Sequence, residues 1–225
     1  MKNKIKFYAI LIIISIPIYG LFNPIFTIVK EIEISGTKLI SKNEIIQSSE
    51  LENKIITIFN KQTFLNNLYR SQDIKKVDII KKSYSKVLIL IEEREYAFVV
   101  NQEDAKGLID ETGSFYPKKN LDNFTNLPIL SLEKMEDASI GLTLLRLLKK
   151  YKLVDKFELS EIKIDQILGV QIYSIEGQTI LIGTNDFDEK IKKLEIIISK
   201  AIDKKKKAVF IDLRETSKGV VNYNL

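Results

Sequence analysis

The pattern of apolar and polar positions changes sharply near residue 30. From Phe7 to Val29 no residue is charged, and FYAILIIISIPIYGLF (Phe7 to Phe22) is almost wholly apolar. A helix needs about 20 such residues to cross the hydrocarbon layer of a bilayer, and uncharged Asn23 to Phe26 lengthen the run. A transmembrane helix is therefore expected over 7–26, kinked at Pro17, with Tyr19, Phe22 and Phe26 at its outer interface.

Beyond this stretch the rhythm alternates between period two and period 3.6. Ile28 to Ser35 (IVKEIEIS) reads as a strand that Gly36 ends. Ser41 to Glu44 fits a capping box that opens a short helix through Ile45 and Ile46. After a loop over Glu50 to Ile58, Asn60 is placed to cap a helix whose stripe is Phe64, Leu65 and Leu68. Asp73 to Lys82 and Ser85 to Glu92 are strands joined around Ser83-Tyr84. Val87, Ile89 and Ile91 share a face of the second while Leu88 and Leu90 occupy the other, as expected of a strand buried on both faces or central in a sheet.

In the second half, short strands are expected at Phe98 to Val100, Leu108 to Asp110 and Ser114 to Tyr116, with turns at Asp104 to Gly107 and Glu111 to Gly113. Ile140, Leu144, Leu147 and Leu148 define a helix over Ala138 to Tyr151. Strands follow at Phe157 to Asp165, Val170 to Ser174 and Gln178 to Gly183. Thr184 or Asn185 is placed to cap a helix carrying Phe187, Ile191, Leu194 and Ile198. The last strands are Ala208 to Leu213 and Gly219 to Tyr223, separated by a turn over Glu215 to Lys218.

Charge sets the orientation of the first segment. Lys2, Lys4 and Lys6 precede it with no acid beside them, so the N-terminus is expected in the cytoplasm and the rest beyond the membrane. A cleaved signal peptide is the competing reading; the apolar run is long for one, and no small-x-small site follows. Those lysines hold three of the net +5, so the remainder carries +2, too little to argue for nucleic acid. The run Lys204 to Lys207 closes a predicted helix, either solvated or against lipid headgroups. Cysteine and histidine are absent, which excludes disulfides, thiol chemistry, histidine–metal sites and a Ser-His-Asp triad. Glu92, Glu93 and Glu95 raise the thought of paired glycosidase carboxylates, but alternation sends Glu92 and Glu93 to opposite faces and Arg94 invites ion pairing. Asp110 and Asp212 read as turn or strand-end carboxylates, so no catalytic residue, metal ligand or cofactor is expected.

Several phrases in this order resemble the FtsQ/DivIB family of bacterial cell-division proteins. EIEISG (Glu31 to Gly36) matches the end of the first strand of its POTRA module, and Glu92 to Ala97 stands where that module closes, with Glu95 in place of the usual proline. GLIDETGSFYP (Gly107 to Pro117) resembles the family hairpin, Leu127 to Leu130 its L-P-x-L, Gly177 to Gly183 its Gly-flanked strand, Lys190 with Leu194 its helix, and Phe210 to Arg214 its i-D-L-R strand. The resemblance implies an α+β fold: an N-terminal transmembrane helix, a POTRA module (strand-helix-helix-strand-strand), and a C-terminal mostly antiparallel β domain with packed helices. The boundaries follow as 1–6 cytoplasmic tail, 7–26 span, 27–97 POTRA domain and 98–225 β domain. It further implies a non-enzymatic scaffold in the cell inner membrane at the division septum, with periplasmic C-terminal domains. The implied partners are FtsB and FtsL, and beyond them FtsK, FtsW and FtsI. FtsB is expected to add to the last strand, with Arg214, Gly219, Val220, Val221, Asn222 and Tyr223 as the contact residues, although Glu215 stands where an aromatic is common. The chain ends soon after that strand, which favours a Gram-negative-type member. The alternatives are a POTRA-bearing, chaperone-like component of outer-membrane protein assembly or secretion, and a membrane-anchored wall enzyme.

Overall fold

A computed structural model of the chain describes residues 8, 11, 15, 26–102 and 105–224. The span expected over 7–26 lies almost wholly outside them; among the described residues no helix is long and apolar enough to cross a membrane. The chain divides into two compact units, Met1–Arg94 and Glu95–Leu225.

In the first unit the single strand expected over 28–35 is two strands, β1 (Phe26–Ile28) and β2 (Glu31–Ser35). The break comes at an irregularity in the bonding: the Ile28 amide, in β1, already donates to the Tyr84 carbonyl, and two successive amides then share one acceptor. Val29 exchanges bonds with the 53–54 segment, whereas the Lys30 and Glu31 amides both donate to the Ser85 carbonyl. β1 pairs antiparallel with β3 (Ile55–Thr57), a strand inside the expected loop. Helix α1 (Lys42–Ser49) starts as its capping residue dictates, with Ser41 Oγ accepting from the Glu44 amide at 3.2 Å. Helix α2 (Lys61–Leu68) follows Asn60, but that side chain does not cap it. Asn60 Oδ1 instead accepts from the Thr57 amide at 2.7 Å, and Nδ2 donates to the Ile55 carbonyl at 2.8 Å. The asparagine is spent on tying down β3.

β4 (Ile74–Lys81) and β5 (Lys86–Glu93) complete a sheet of order β2-β5-β4. β5 is central, parallel to β2 and antiparallel to β4. Its Val87 and Ile89 are fully buried with Ile45, Leu51, Leu68 and Ile79. Each such side chain contributes about 1.5–3 kcal/mol by leaving water. On its other face Leu90 is exposed, so centrality rather than two-sided burial explains the continuous apolar run. Gly36 could be no other residue: it has φ 93°, and a Cβ there would stand 2.0 Å from the Ile91 carbonyl oxygen.

The second unit is built on β6 (Tyr96–Asn101), β7 (Lys106–Asp110), β8 (Phe115–Pro117), β9 (Ile129–Leu132), β10 (Leu159–Asp165), β11 (Gly169–Ser174), β12 (Thr179–Gly183), β13 (Lys207–Asp212) and β14 (Val220–Asn224). They form one sheet ordered β14-β13-β12-β11-β10-β9-β6-β7-β8. Helix α3 (Ala138–Lys150) and the short α4 (Leu153–Phe157) connect the parallel pair β9 and β10; α5 (Phe187–Asp203) connects the parallel pair β12 and β13. Most other neighbours are antiparallel hairpins. The helices present Leu144, Leu148, Ile191 and Leu194 to Ile162, Ile172, Ile180 and Ile211 of the sheet, all buried in one core. A smaller cluster, Val99, Leu108 and Phe124, lies apart from it.

Two expectations need correction here. The strand expected from Phe157 begins at Leu159, because Phe157 is the buried last residue of α4 and Glu158 turns the chain at φ 48°. Neither Thr184 nor Asn185 caps α5: Asp186, at φ 53°, holds that position without a side-chain bond to the helix. Asn185 is engaged elsewhere, accepting from Lys190 Nζ at 2.9 Å.

Candidate partner-binding edge

β14 is the last strand of the nine-stranded sheet, and its pairing with β13 fixes which of its backbone groups are free of the ladder. The Leu213 amide donates to the Leu181 carbonyl at 2.8 Å, in a parallel register that sets Leu181 opposite Asp212. Backbone groups alternate sides along a strand. Ile211 and Leu213 therefore turn theirs to β12, and Phe210 and Asp212 turn theirs to β14. Their partners there are Asn222 and Val220, so these two take the ladder bonds. Val221, lying between them, turns its N–H and C=O to the open edge.

The side chains expected to meet a partner lie on or beside this strand. Gly219 precedes it, and a Cβ there would come within 2.9 Å of Leu213 Cδ2. Val220 is 62% exposed, Asn222 is exposed, and half-buried Val221 packs on the core. Tyr223 is 42% exposed, with Lys206 Nζ 5.9 Å from its ring centroid. Arg214 is already engaged: Nε lies 3.0 Å from Asp212 Oδ1, and Nη2 lies 2.6 Å from Oδ2. The guanidinium holds the Asp212 carboxyl below the ordinary carboxylate range. An acidic group arriving at Arg214 must compete with that pair. Asp212, Arg214, Glu215, Lys218 and Val220 line a cavity of about 510 Å³ at this corner. The clasp was signalled by the i, i+2 spacing of Asp212 and Arg214 on an extended chain, which sequence reading passed over.

Lys190 is fully buried, and its ammonium donates to the Ile182 carbonyl and to Asn185 Oδ1, each at 2.9 Å. Burial pushes its pKa down, opposed by Asp186 and Asp212. It pins the first turns of α5 to the end of β12. Its place between Phe187 and Leu194, on the apolar stripe, was the available signal. In the basic run, Lys207 opens β13 and its Nζ lies 2.7 Å from Glu176 Oε2, while Lys204 to Lys206 are exposed.

The carboxylates weighed for catalysis have structural partners. Glu92 pairs with Lys75 at 2.7 Å, which lowers its pKa. Glu93 is not simply solvated: Oε1 accepts from the Lys38 amide at 2.8 Å and the Ile40 amide at 2.9 Å, and Oε2 from the Leu39 amide at 2.9 Å. Asp110 is buried at the end of β7, where Oδ1 accepts from the Thr112 and Ser114 amides at 2.9 and 3.1 Å and Oδ2 from the Tyr116 hydroxyl at 3.1 Å. Burial acts to raise its pKa, but these bonds outweigh it and the net shift is downward. Among the described residues, no three carboxylates stand together as a metal site.

Comparison with known proteins gives the chain a family. The family model described as "Cell division protein FtsQ/DivIB, C-terminal" matches residues 97–214, from β6 to the end of the Asp212–Arg214 clasp and short of β14. A cell division protein DivIB of Clostridium tetani is 26% identical over 198 residues, 81% of this chain and 74% of that protein. The Clostridium acetobutylicum DivIB is 27% identical over 197 residues, 81% of this chain and 78% of its own. The Clostridium botulinum (strain Loch Maree) DivIB is 28% identical over 231 residues, covering 94% of this chain and 89% of its own. These relatives carry the DivIB name, so the preference for a Gram-negative-type member finds no support in them. With more than half of its length matched by the family model, the chain belongs to the FtsQ/DivIB family of cell division proteins.

Proposed function

We propose that the chain is a membrane-anchored scaffold of the division machinery that captures its partner by accepting an added strand along β14. The observation that carries this reading is the character of the open sheet edges. β2 carries Glu31 and Glu33, β4 carries Lys75, Lys76, Asp78 and Lys81, and β8 is three residues long and ends in Pro117. Charge, brevity and proline are the usual devices that keep an edge from pairing. β14 (VVNYN) uses none of them. In strand addition, main-chain bonds hold the peptide and exposed side chains select it, a part suited to Val220, Asn222 and Tyr223, with Gly219 and Arg214 at the near end.

By family resemblance the added strand comes from FtsB, presented with FtsL as a membrane-bound pair; FtsK, FtsW and FtsI are the further members this scaffold would meet. Residues 27–97 serve as the POTRA domain and 98–225 as the β domain. Support for the former is the order strand, helix, helix, strand, strand around β5, with β1 and β3 as an added ribbon. Residues 7–26 anchor both at the septum, outside the cytoplasmic face. The test is co-purification of the FtsB–FtsL pair with the full chain. Tyr223→Ala is expected to weaken capture and Val221→Pro to block strand addition. Recovery of the pair at wild-type yield with both variants would place the site elsewhere.

A further inference from the structure

The β1–β3 ribbon and the turn after it carry exposed apolar side chains. Ile28 and Ile55 stand opposite each other across the β1–β3 ribbon and are 41% and 53% exposed. Ile58 and Phe59, in the turn after β3, are 68% and 90% exposed. Scattered apolar residues on a surface need no explanation, but two adjacent ones in a single turn, one of them 90% exposed, call for a partner.

The register identifies that partner. β1 and β3 run antiparallel with Phe26 opposite Thr57. The chain beyond Thr57 therefore continues back past Phe26, toward the side from which the apolar stretch enters β1. Paired strands lie about 4.8 Å apart and advance about 3.3 Å per residue, so Phe59 sits within roughly 10 Å of the Phe26 backbone. The headgroup zone is about 5–7 Å thick on each side of the hydrocarbon. The turn is held in shape: Thr57 Oγ1 accepts from the Phe59 amide at 3.2 Å, and Asn60 Oδ1 accepts from the Thr57 amide at 2.7 Å. Thr27 Oγ1 donates to the Ser83 carbonyl at 2.8 Å, which brings the β4–β5 turn to the same end. Lys30 follows Ile28 and Lys54 precedes Ile55, at the ribbon end away from Phe26, and both are exposed.

We propose that the Ile58–Phe59 turn inserts into the outer interface of the membrane that holds the anchor, beside the start of β1. The proposal rests on the anchor expected over 7–26. A single helix entering β1 leaves the unit free to swivel; a second contact beside the first fixes which face of the unit looks along the membrane.

Tryptophan is absent from the sequence, so Phe59→Trp gives a sole reporter at a side chain that the core does not use. Leu39→Trp is the control. Leu39 is 57% exposed, and its amide bonds Glu93 at the far end of β5. The eight residues of β5 put that end roughly 25 Å away. Each full-length variant is reconstituted in phosphatidylcholine–phosphatidylglycerol vesicles, floated, and read by indole emission with lipids brominated along the upper acyl chain. The proposal expects both variants to float, the emission of Phe59→Trp to shift to the blue, and its quenching to exceed that of Leu39→Trp several-fold. If both float and Phe59→Trp behaves like Leu39→Trp, the inserted turn is refuted while the anchor stands. If the chain does not float with the vesicles, the anchor reading fails and the inserted turn falls with it.

Discussion

The parity of β14 makes two neighbouring prolines behave in opposite ways. Val220 faces β13 with its backbone, across from Asp212. Val220→Pro removes that ladder bond, a net loss of about 0.5–1.5 kcal/mol, and leaves the Asp212 carbonyl short of a donor at a further ~1–3 kcal/mol. The side chain, 62% exposed, adds little. A total of about 2–4 kcal/mol releases the edge strand, read as lost amide protection along β14 and a melting temperature lower by about 5–10 °C. Val221→Pro removes an N–H that has no ladder partner in the free chain, so its fold cost stays near ~1 kcal/mol, mostly from trimmed packing and a fixed φ. Its cost falls on binding: one lost main-chain bond, about 0.5–1.5 kcal/mol, is worth up to roughly tenfold in affinity. The proline ring in the path of the added strand adds to this. Titrating the FtsB–FtsL pair into each melting-checked variant reads both effects. The reasoning is refuted if Val221→Pro unfolds the edge while Val220→Pro leaves it intact, or if Val221→Pro binds like wild type.

Asp110→Asn is expected to cost about 1–2 kcal/mol at neutral pH, since neutral hydrogen bonds replace charged ones at the β7–β8 turn. Because the folded Asp110 pKa lies below the ordinary value, this stability is present above the usual carboxylate range and is lost as pH falls through the folded value; the gap between wild type and Asp110→Asn should close on acidification below pH ~4, as paired melting curves would show. Glu93→Ala should lower stability by about 0.5–1.5 kcal/mol, since water can replace the acceptor at the exposed Lys38 and Leu39 amides, while Glu93→Gln, which keeps an acceptor, should melt nearer wild type. Made singly, Glu92→Gln, Glu93→Gln and Asp110→Asn should leave division intact; loss of division in a folded, localised variant would revive a catalytic reading. A reporter active only beyond the membrane should work when fused after Leu225, and mass spectrometry should find the N-terminal segment attached; a mature N-terminus near 23–27 would mean a signal peptide.

What the sequence made legible were elements whose evidence is local. The period-two runs of β5 and the apolar stripes of α3 and α5 announce themselves, as does the Ser41 cap of α1. The pieces decided by distant partners stayed hidden. The break between β1 and β2 falls where the successive Lys30 and Glu31 amides share the distant Ser85 carbonyl, and β3 is a strand only because β1 lies beside it. Asn60 reads as a helix cap until the neighbouring Thr57 and Ile55 groups claim both ends of its amide. At the candidate edge the terminal strand and its residues were readable. The direction of the Val221 amide was not, because it depends on a bond two strands away, from Leu213 to Leu181. The Arg214 clasp and the buried Lys190 had spacing signals, but burial itself had to come from the packed fold.

The most direct test of strand addition at β14 is residue-resolved amide hydrogen exchange on the full chain, with and without the FtsB–FtsL pair. The Val220 and Asn222 amides should be slow in both states, because β13 already holds them. The Val221 amide should exchange fast alone and slow down on binding, and Tyr223, with the same parity, should follow it. Slowing of amides elsewhere in the sheet, with Val221 unchanged in the bound state, would contradict the account.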